Sequence, residues 1–164
     1  MSQNDSNNYW AVLNDWHRTA GLVGDAHYDS ARLYANRNYW LGIPVIIFST
    51  SVGTSIFATL QQDVHTWIRI CIGAVSVASA ILAGLQTFLR FAESAEKHHS
   101  AAVKYASICT DIEEIKALPE SSRGHLKKVL DDLKRRKTTL EAESPDFPAS
   151  IWKNYAQRFS PNGK

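Results

Sequence analysis

Residues 39–60, YWLGIPVIIFSTSVGTSIFATL, and residues 70–89, ICIGAVSVASAILAGLQTFL, contain no Asp, Glu, Lys, Arg or His. A helix rises about 1.5 Å per residue and the hydrocarbon core of a bilayer is about 30 Å thick, so about 20 apolar residues cross it. The two stretches supply 22 and 20. Helices at the surface of a soluble core carry a polar stripe toward water, and these have no charged face. A cleaved signal peptide does not fit, because the first stretch begins at residue 39 and outruns the roughly 7–15-residue apolar core of such signals. The pattern predicts an all-α membrane protein built on a two-span transmembrane hairpin, with residues 61–69 as a short external turn.

Cytoplasmic flanks of membrane spans accumulate Lys and Arg. Arg32 and Arg37 precede the first stretch, Arg90, Lys97 and Lys104 follow the second, and the connection QQDVHTWIR offers only Arg69. The expected topology is a multi-pass protein of the inner (cytoplasmic) membrane with both termini in the cytoplasm. Tyr39, Trp40 and Trp67 fall where amphipathic rings favour the headgroup region and are expected to be interfacial anchors.

The remaining sequence is helical in pattern. Residues 1–38 read as N-terminal helices, with Trp10, Leu13, Trp16 and Ala20 ahead of Gly21 and Gly24, and 25–38 leading into the first span. The second span is expected to run on unbroken through 90–118, with Phe91, Ala95, Ala102, Ala106, Cys109, Ile112 and Ile115 forming an apolar stripe. Pro119, Ser121, Ser122 and Gly124 then interrupt the helix. Val129, Leu130, Leu133 and Leu140 mark a returning helix that completes a cytoplasmic hairpin over 90–143. In the C-terminal segment, 144–164, two prolines precede Ile151, Trp152, Tyr155 and Phe159 at helical spacing; this short helix is either an interfacial foot or packed on the stalk. A single module spanning 1–164 accounts for the length better than two independent domains.

Several stretches together resemble the SLATT family of two-span proteins, the SMODS and SLOG-associating 2TM effector domains: SARLYANRNYWLGIPVIIFSTSVGTSIFA, then IGAVSVASAILAGLQTFLRFAESAEKHHSAAVKYASI and DIEEIKAL. The likeness covers about residues 20–160 and extends to the basic-aromatic-acidic exit at Arg90, Phe91 and Glu93. It implies a membrane effector of a prokaryotic conflict or antiphage defence system, which forms a pore when a cytosolic nucleotide-signalling partner is triggered.

The span faces fit that implication in a specific way. Projected at about 100° per residue, Thr50, Ser51, Thr54 and Ser55 share one side of the first helix. They are candidates for lining a pore or for packing. Gly73, Ser76, Ser79, Ala80, Ala83 and Gly84 share a side of the second and form the expected helix-packing face, since small residues let helices approach closely in lipid. Two spans cannot enclose a conduit, so a pore requires a homo-oligomer. No carboxylate lies within either stretch, which argues against a selective cation channel or a proton-coupled exporter. The alternative function is a non-conducting adaptor whose helical stalk recruits a partner protein.

Enzymatic function is not expected, because no nucleophile, base and stabiliser converge in the sequence. No cofactor, metal or nucleic acid is expected either; membrane lipids are the expected surroundings. His98 and His99 are adjacent, about 100° apart on a helix, and read as solvated side chains. Lys134, Arg135, Arg136 and Lys137 are candidates for anionic lipid or an anionic ligand. Asp131, Asp132, Glu141 and Glu143 are interspersed among them, as on an ordinary solvated helix.

Overall fold

The computed structural model describes residues 3–59, 65–119 and 126–159. Within them every element is an α-helix: α1 (Gln3–Thr59), α2 (Thr66–Leu89), α3 (Phe91–Ala117), α4 (Leu126–Glu143) and α5 (Ala149–Phe159). The all-α expectation holds. The end of the first stretch at Leu60, the first residues of the 61–69 turn with Asp63, and the interrupting residues Ser121, Ser122 and Gly124 lie outside the described residues.

The N-terminal helices expected over 1–38 are part of one helix, α1, of 57 residues that continues through Gly21, Gly24 and Pro44. Glycine lowers helix propensity by about 1 kcal/mol, and tertiary packing overrides that preference here. Gly24 is buried, and a Cβ on it would meet the Tyr105 Cβ at 3.4 Å, so the missing side chain lets α3 approach α1.

The unbroken helix expected through Arg90 is also modified. Arg90 adopts a left-handed conformation (φ 46°, ψ 39°) between α2 and α3, the only positive φ at a non-glycine among the described residues. Its guanidinium pairs with Glu93 one turn into α3. At the other end, α3 stops at Ala117, two residues before Pro119, which disfavours helical backbone in the residue preceding it. α5 begins just after Pro148, whose carbonyl accepts hydrogen bonds from the Ile151 and Trp152 amides.

The chain divides into two compact units, Met1–Arg32 with Ala95–Lys164, and Leu33–Ser94. In the first unit, Leu13 and Ala20 of α1 pack with Tyr105, Ile108 and Ile112 of α3 and Leu130, Leu133 and Leu140 of α4. Two ion pairs show the relative direction of α3 and α4: Arg136 bonds Asp111 at 2.5 Å and Lys104 lies 3.6 Å from Glu143. As the α4 partner moves forward, the α3 partner moves back by the same interval, so the pair is the antiparallel hairpin that the sequence predicts. α5 packs on this bundle through the buried Ile151 and Tyr155, and the Tyr155 hydroxyl donates to Asp29 of α1 at 2.8 Å. Trp152 remains 52% exposed. Of the two arrangements open for the C-terminal segment, its apolar face takes packing on the stalk.

In the second unit, the later part of α1 runs antiparallel to α2. Ser49 and Ser79 share a hydrogen bond of 2.8 Å, and Gly42 faces the Gln86 side chain, where an added Cβ would meet Nε2 at 3.3 Å. The half-buried positions Leu41, Val45, Phe48 and Val52 on α1, and Ile72, Val75, Leu82 and Gln86 on α2, follow the spacing of three and four residues that a helix seam requires.

Ile112 is fully buried at the centre of the first unit's core, whereas Val103 is 48% exposed on the same helix. Ile112→Ala is expected to destabilise that unit by about 2–5 kcal/mol through lost burial and a cavity, and Val103→Ala by at most about 0.5 kcal/mol. Denaturant unfolding followed by circular dichroism measures both.

Candidate functional site

The hairpin unit is distinguished by what its outer surface exposes. Trp40, Ile43, Ile46 and Ile47 on α1, and Val77, Ile81, Leu85 and Phe88 on α2, are all exposed, Phe88 to 82%. Among the described residues one helical run is long and apolar enough to cross a membrane, Thr66–Ala117 traced through Arg90, and only 6% of its apolar window is buried. A core helix of a soluble protein is mostly buried, so this surface calls for an apolar solvent or a covering partner. The proposed anchors Tyr39, Trp40 and Trp67 are exposed to 66%, 74% and 72%, with their rings free of the hairpin seam.

The hydroxyl residues of α1 fall into two groups. Thr50 donates to the Ile46 carbonyl, Ser51 to Ile47, Thr54 to Thr50 and Ser55 to Ser51, at 2.6–2.8 Å. Each hydroxyl proton is therefore used within its own helix, which leaves the oxygen lone pairs facing outward. Ser49 differs, because its hydroxyl reaches across to Ser79. Thr50, Ser51 and Thr54 are exposed and Ser55 is half-buried, so this stripe lies mostly off the α1–α2 seam.

The small-residue face of α2 is divided between the α1–α2 contact and the exposed surface. Ser79 is buried and Ala83 half-buried, but Gly73, Ser76, Ala80 and Gly84 are exposed, and a Cβ added at Gly73 or Gly84 meets nothing within 4 Å. Ile72, Val75 and Leu82, at helical spacing around Ser79, are half-buried on the side of α2 that meets α1.

The first unit contains a polar feature that the sequence pattern does not reveal. His27 of α1 and His98 of α3 are 1% and 2% exposed, and their Nδ1 atoms lie 2.9 Å apart. Such a contact needs one ring to donate its Nδ1–H and the other to offer a lone pair, so the accepting ring is neutral. Phe147 and Tyr105 close around it, with ring centroids 4.4 and 5.6 Å from His27. Burial, reinforced by the neighbouring His98, pushes His27 down to about 4. Burial lowers His98 as well. The expectation that His98 is solvated is thus overturned, while His99 is exposed with its ring edge against Tyr28. A histidine standing 71 positions away on another helix is invisible to local periodicity.

The same unit holds other polar contacts. Tyr155, donating to Asp29, is pushed up to about 12 by its burial and by that carboxylate. His17 Nε2 meets Glu113 at 2.9 Å, and the Cys109 thiol, raised by burial and nearby carboxylates, points at the His17 carbonyl at 3.6 Å. Among the described residues no group of three or more His, Cys, Asp or Glu is arranged to hold a metal ion. On α4, Arg135 pairs with Asp132, Arg136 with Asp111 and Lys137 with Glu141, while Lys134 is exposed. Three of the four cations proposed as an anion site are thus matched by carboxylates on α3 or α4.

No protein-family model matches the chain, and neither does any curated protein or solved structure.

The His27 proton gives a definite pH dependence. Its folded value of about 4 lies below its ordinary value of 6.5, so unfolding takes up a proton between those limits. Its contribution to stability is full above pH 6.5 and is lost as the pH falls toward 4. Between pH 7.5 and 5 this one group is expected to remove about 2 kcal/mol. Urea unfolding at a series of pH values measures the loss, and His27→Gln is expected to flatten the slope by about one proton.

Proposed function

We propose that this chain is a two-span membrane effector that oligomerises and depolarises or permeabilises the membrane in which it sits. The observation that carries the reading is the exposed, uncharged apolar surface of the hairpin unit, of which Trp40, Ile46, Ile81 and Phe88 are the largest elements. In water that surface costs about 25 cal/mol for each Å² left unburied, whereas lipid tails solvate it. α1 and α2 are then the two spans, both termini are cytoplasmic, and Tyr39, Trp40 and Trp67 sit at headgroup level. The likeness to SLATT proteins supports the same conclusion and adds the context of a conflict system triggered by a nucleotide-signalling partner.

In the oligomer, Thr50, Ser51, Thr54 and Ser55 turn their oxygen lone pairs to a narrow conduit. Their hydroxyl protons are held by the helix backbone, so the lining offers acceptors to passing ions and few donors. With no carboxylate in either span the conduit is poorly selective. The exposed Gly73, Ser76, Ala80 and Gly84 are the surface on which a neighbouring copy packs, since small residues admit close approach of helices in lipid.

One observation favours the adaptor reading. Because the hydroxyls of the stripe are already bonded within α1, the helix tolerates this face in plain lipid without any conduit. The two readings separate in cells expressing the chain from an inducible promoter, with membrane potential as the readout. The parent is expected to depolarise the cells, and the Ser51→Leu, Ser55→Leu variant at matched membrane abundance is expected to leave the potential unchanged. Equal depolarisation by both rejects the lining assignment, and partner capture without depolarisation identifies an adaptor.

A further inference from the structure

The antiparallel pairing of α3 and α4 leaves a groove of about 490 Å³ between them, within the range of small-molecule sites. Lys104 enters it from α3, and Arg135 and Arg136 from α4. Ser107 and Thr139 add one hydroxyl from each wall, and the buried Ile108 and Leu140 contribute the apolar part of the lining. We propose that this groove binds a phosphate ester, with the anionic group held by Lys104, Arg135 and Arg136 and the apolar body laid on Ile108 and Leu140.

The charge arrangement supports this occupant. Asp111 and Asp132, which pair with Arg136 and Arg135, do not line the groove. They steady the guanidiniums from outside it. A guanidinium has five N–H donors, so one carboxylate bond leaves others available. The lining itself carries three cations against the single carboxylate of Glu143, and that carboxylate is 3.6 Å from Lys104, a loose pair. Exposed ion pairs of this kind contribute about 0–1 kcal/mol and rearrange readily for a ligand. Two arginine forks, an ammonium and two hydroxyls match the several acceptor oxygens of a phosphate better than the two of a carboxylate. Of the basic residues proposed from the sequence, the fold brings Arg135 and Arg136 to this lining, with Thr139 on the same helix, and adds Lys104 and Ser107 from a helix about 30 positions earlier. The site lies within one compact unit and does not depend on the pore reading.

A soluble ester and a lipid headgroup share this chemistry, and a titration separates them. The full-length chain in zwitterionic micelles at low salt is titrated with adenosine 5′-monophosphate, and in a second arm with phosphatidylglycerol added to the micelles. Saturable binding is expected, weakened at least tenfold by Lys104→Gln and by Arg136→Gln. Lys127→Gln with Lys128→Gln, exposed on α4 outside the groove, is expected to stay within twofold of the parent. Binding of the nucleotide in this pattern identifies a soluble ester, and binding of phosphatidylglycerol alone identifies a headgroup; either supports the proposal. No saturable binding of either probe, or equal loss in the Lys127, Lys128 variant, overturns it. If Arg136→Gln fails to fold, Ser107→Ala with Thr139→Ala, at two exposed positions, is expected to weaken binding severalfold, and unchanged affinity overturns the proposal.

Discussion

The approach of α1 to α3 is the constraint on which the helical bundle depends. It is set where Gly24 faces Tyr105, with 3.4 Å between the Tyr105 Cβ and the place a Gly24 Cβ would occupy. A Cβ alone would already be in contact there, and any longer side chain pushes the helices apart. Above and below it the same seam closes Leu13, Ala20, Ile108 and Ile112 into one core, to which α4 adds Leu130, Leu133 and Leu140. Close packing makes such a core sensitive to single methylene groups, so small residues on α1 are as necessary to it as large ones on α3.

That close seam explains why two histidines are tolerated inside. A buried polar group without a partner costs about 1–3 kcal/mol; His27 and His98 avoid the cost by bonding each other, while Phe147 and Tyr105 cover their ring faces. Among the described residues no buried side-chain nitrogen or oxygen lacks a partner. The contact requires one ring to stay neutral, because a proton at Nδ1 on both rings sets two N–H groups against each other, and burial disfavours charge on either. The bundle therefore carries a built-in dependence on pH through the buried His27.

The hairpin unit is held by a different economy of interactions. Among the described residues its seam is mostly apolar, with a hydroxyl pair between the helices, Ser49 with Ser79. The remaining hydroxyls of α1 bond their own helix, a habit of Ser and Thr that satisfies them without a neighbour. The exposed Ile, Leu, Phe and Trp side chains of the outer surface remain unsuited to water.

Helix type and the helix limits beside Pro119 and Pro148 were legible in the sequence because they are local: period, charge-free length and proline act within a few residues of themselves. The antiparallel α3–α4 hairpin was legible for the same reason, a short connection between two amphipathic faces. Four features were not. The left-handed Arg90 sits where helical periodicity predicts continuity, since a one-residue change of backbone leaves no mark on side-chain pattern. The choice of Ile72, Val75 and Leu82 over the glycine face for the α1–α2 seam depends on which sides of two helices meet. The His27–His98 pair and the Lys104, Arg135, Arg136 groove bring together residues separated by 71 and by about 30 positions. Sequence alone determined which residues form helices and which surfaces refuse water; only the packing of those helices decided which polar side chains became partners, because partnership is set by distance in space and periodicity records only position along one helix.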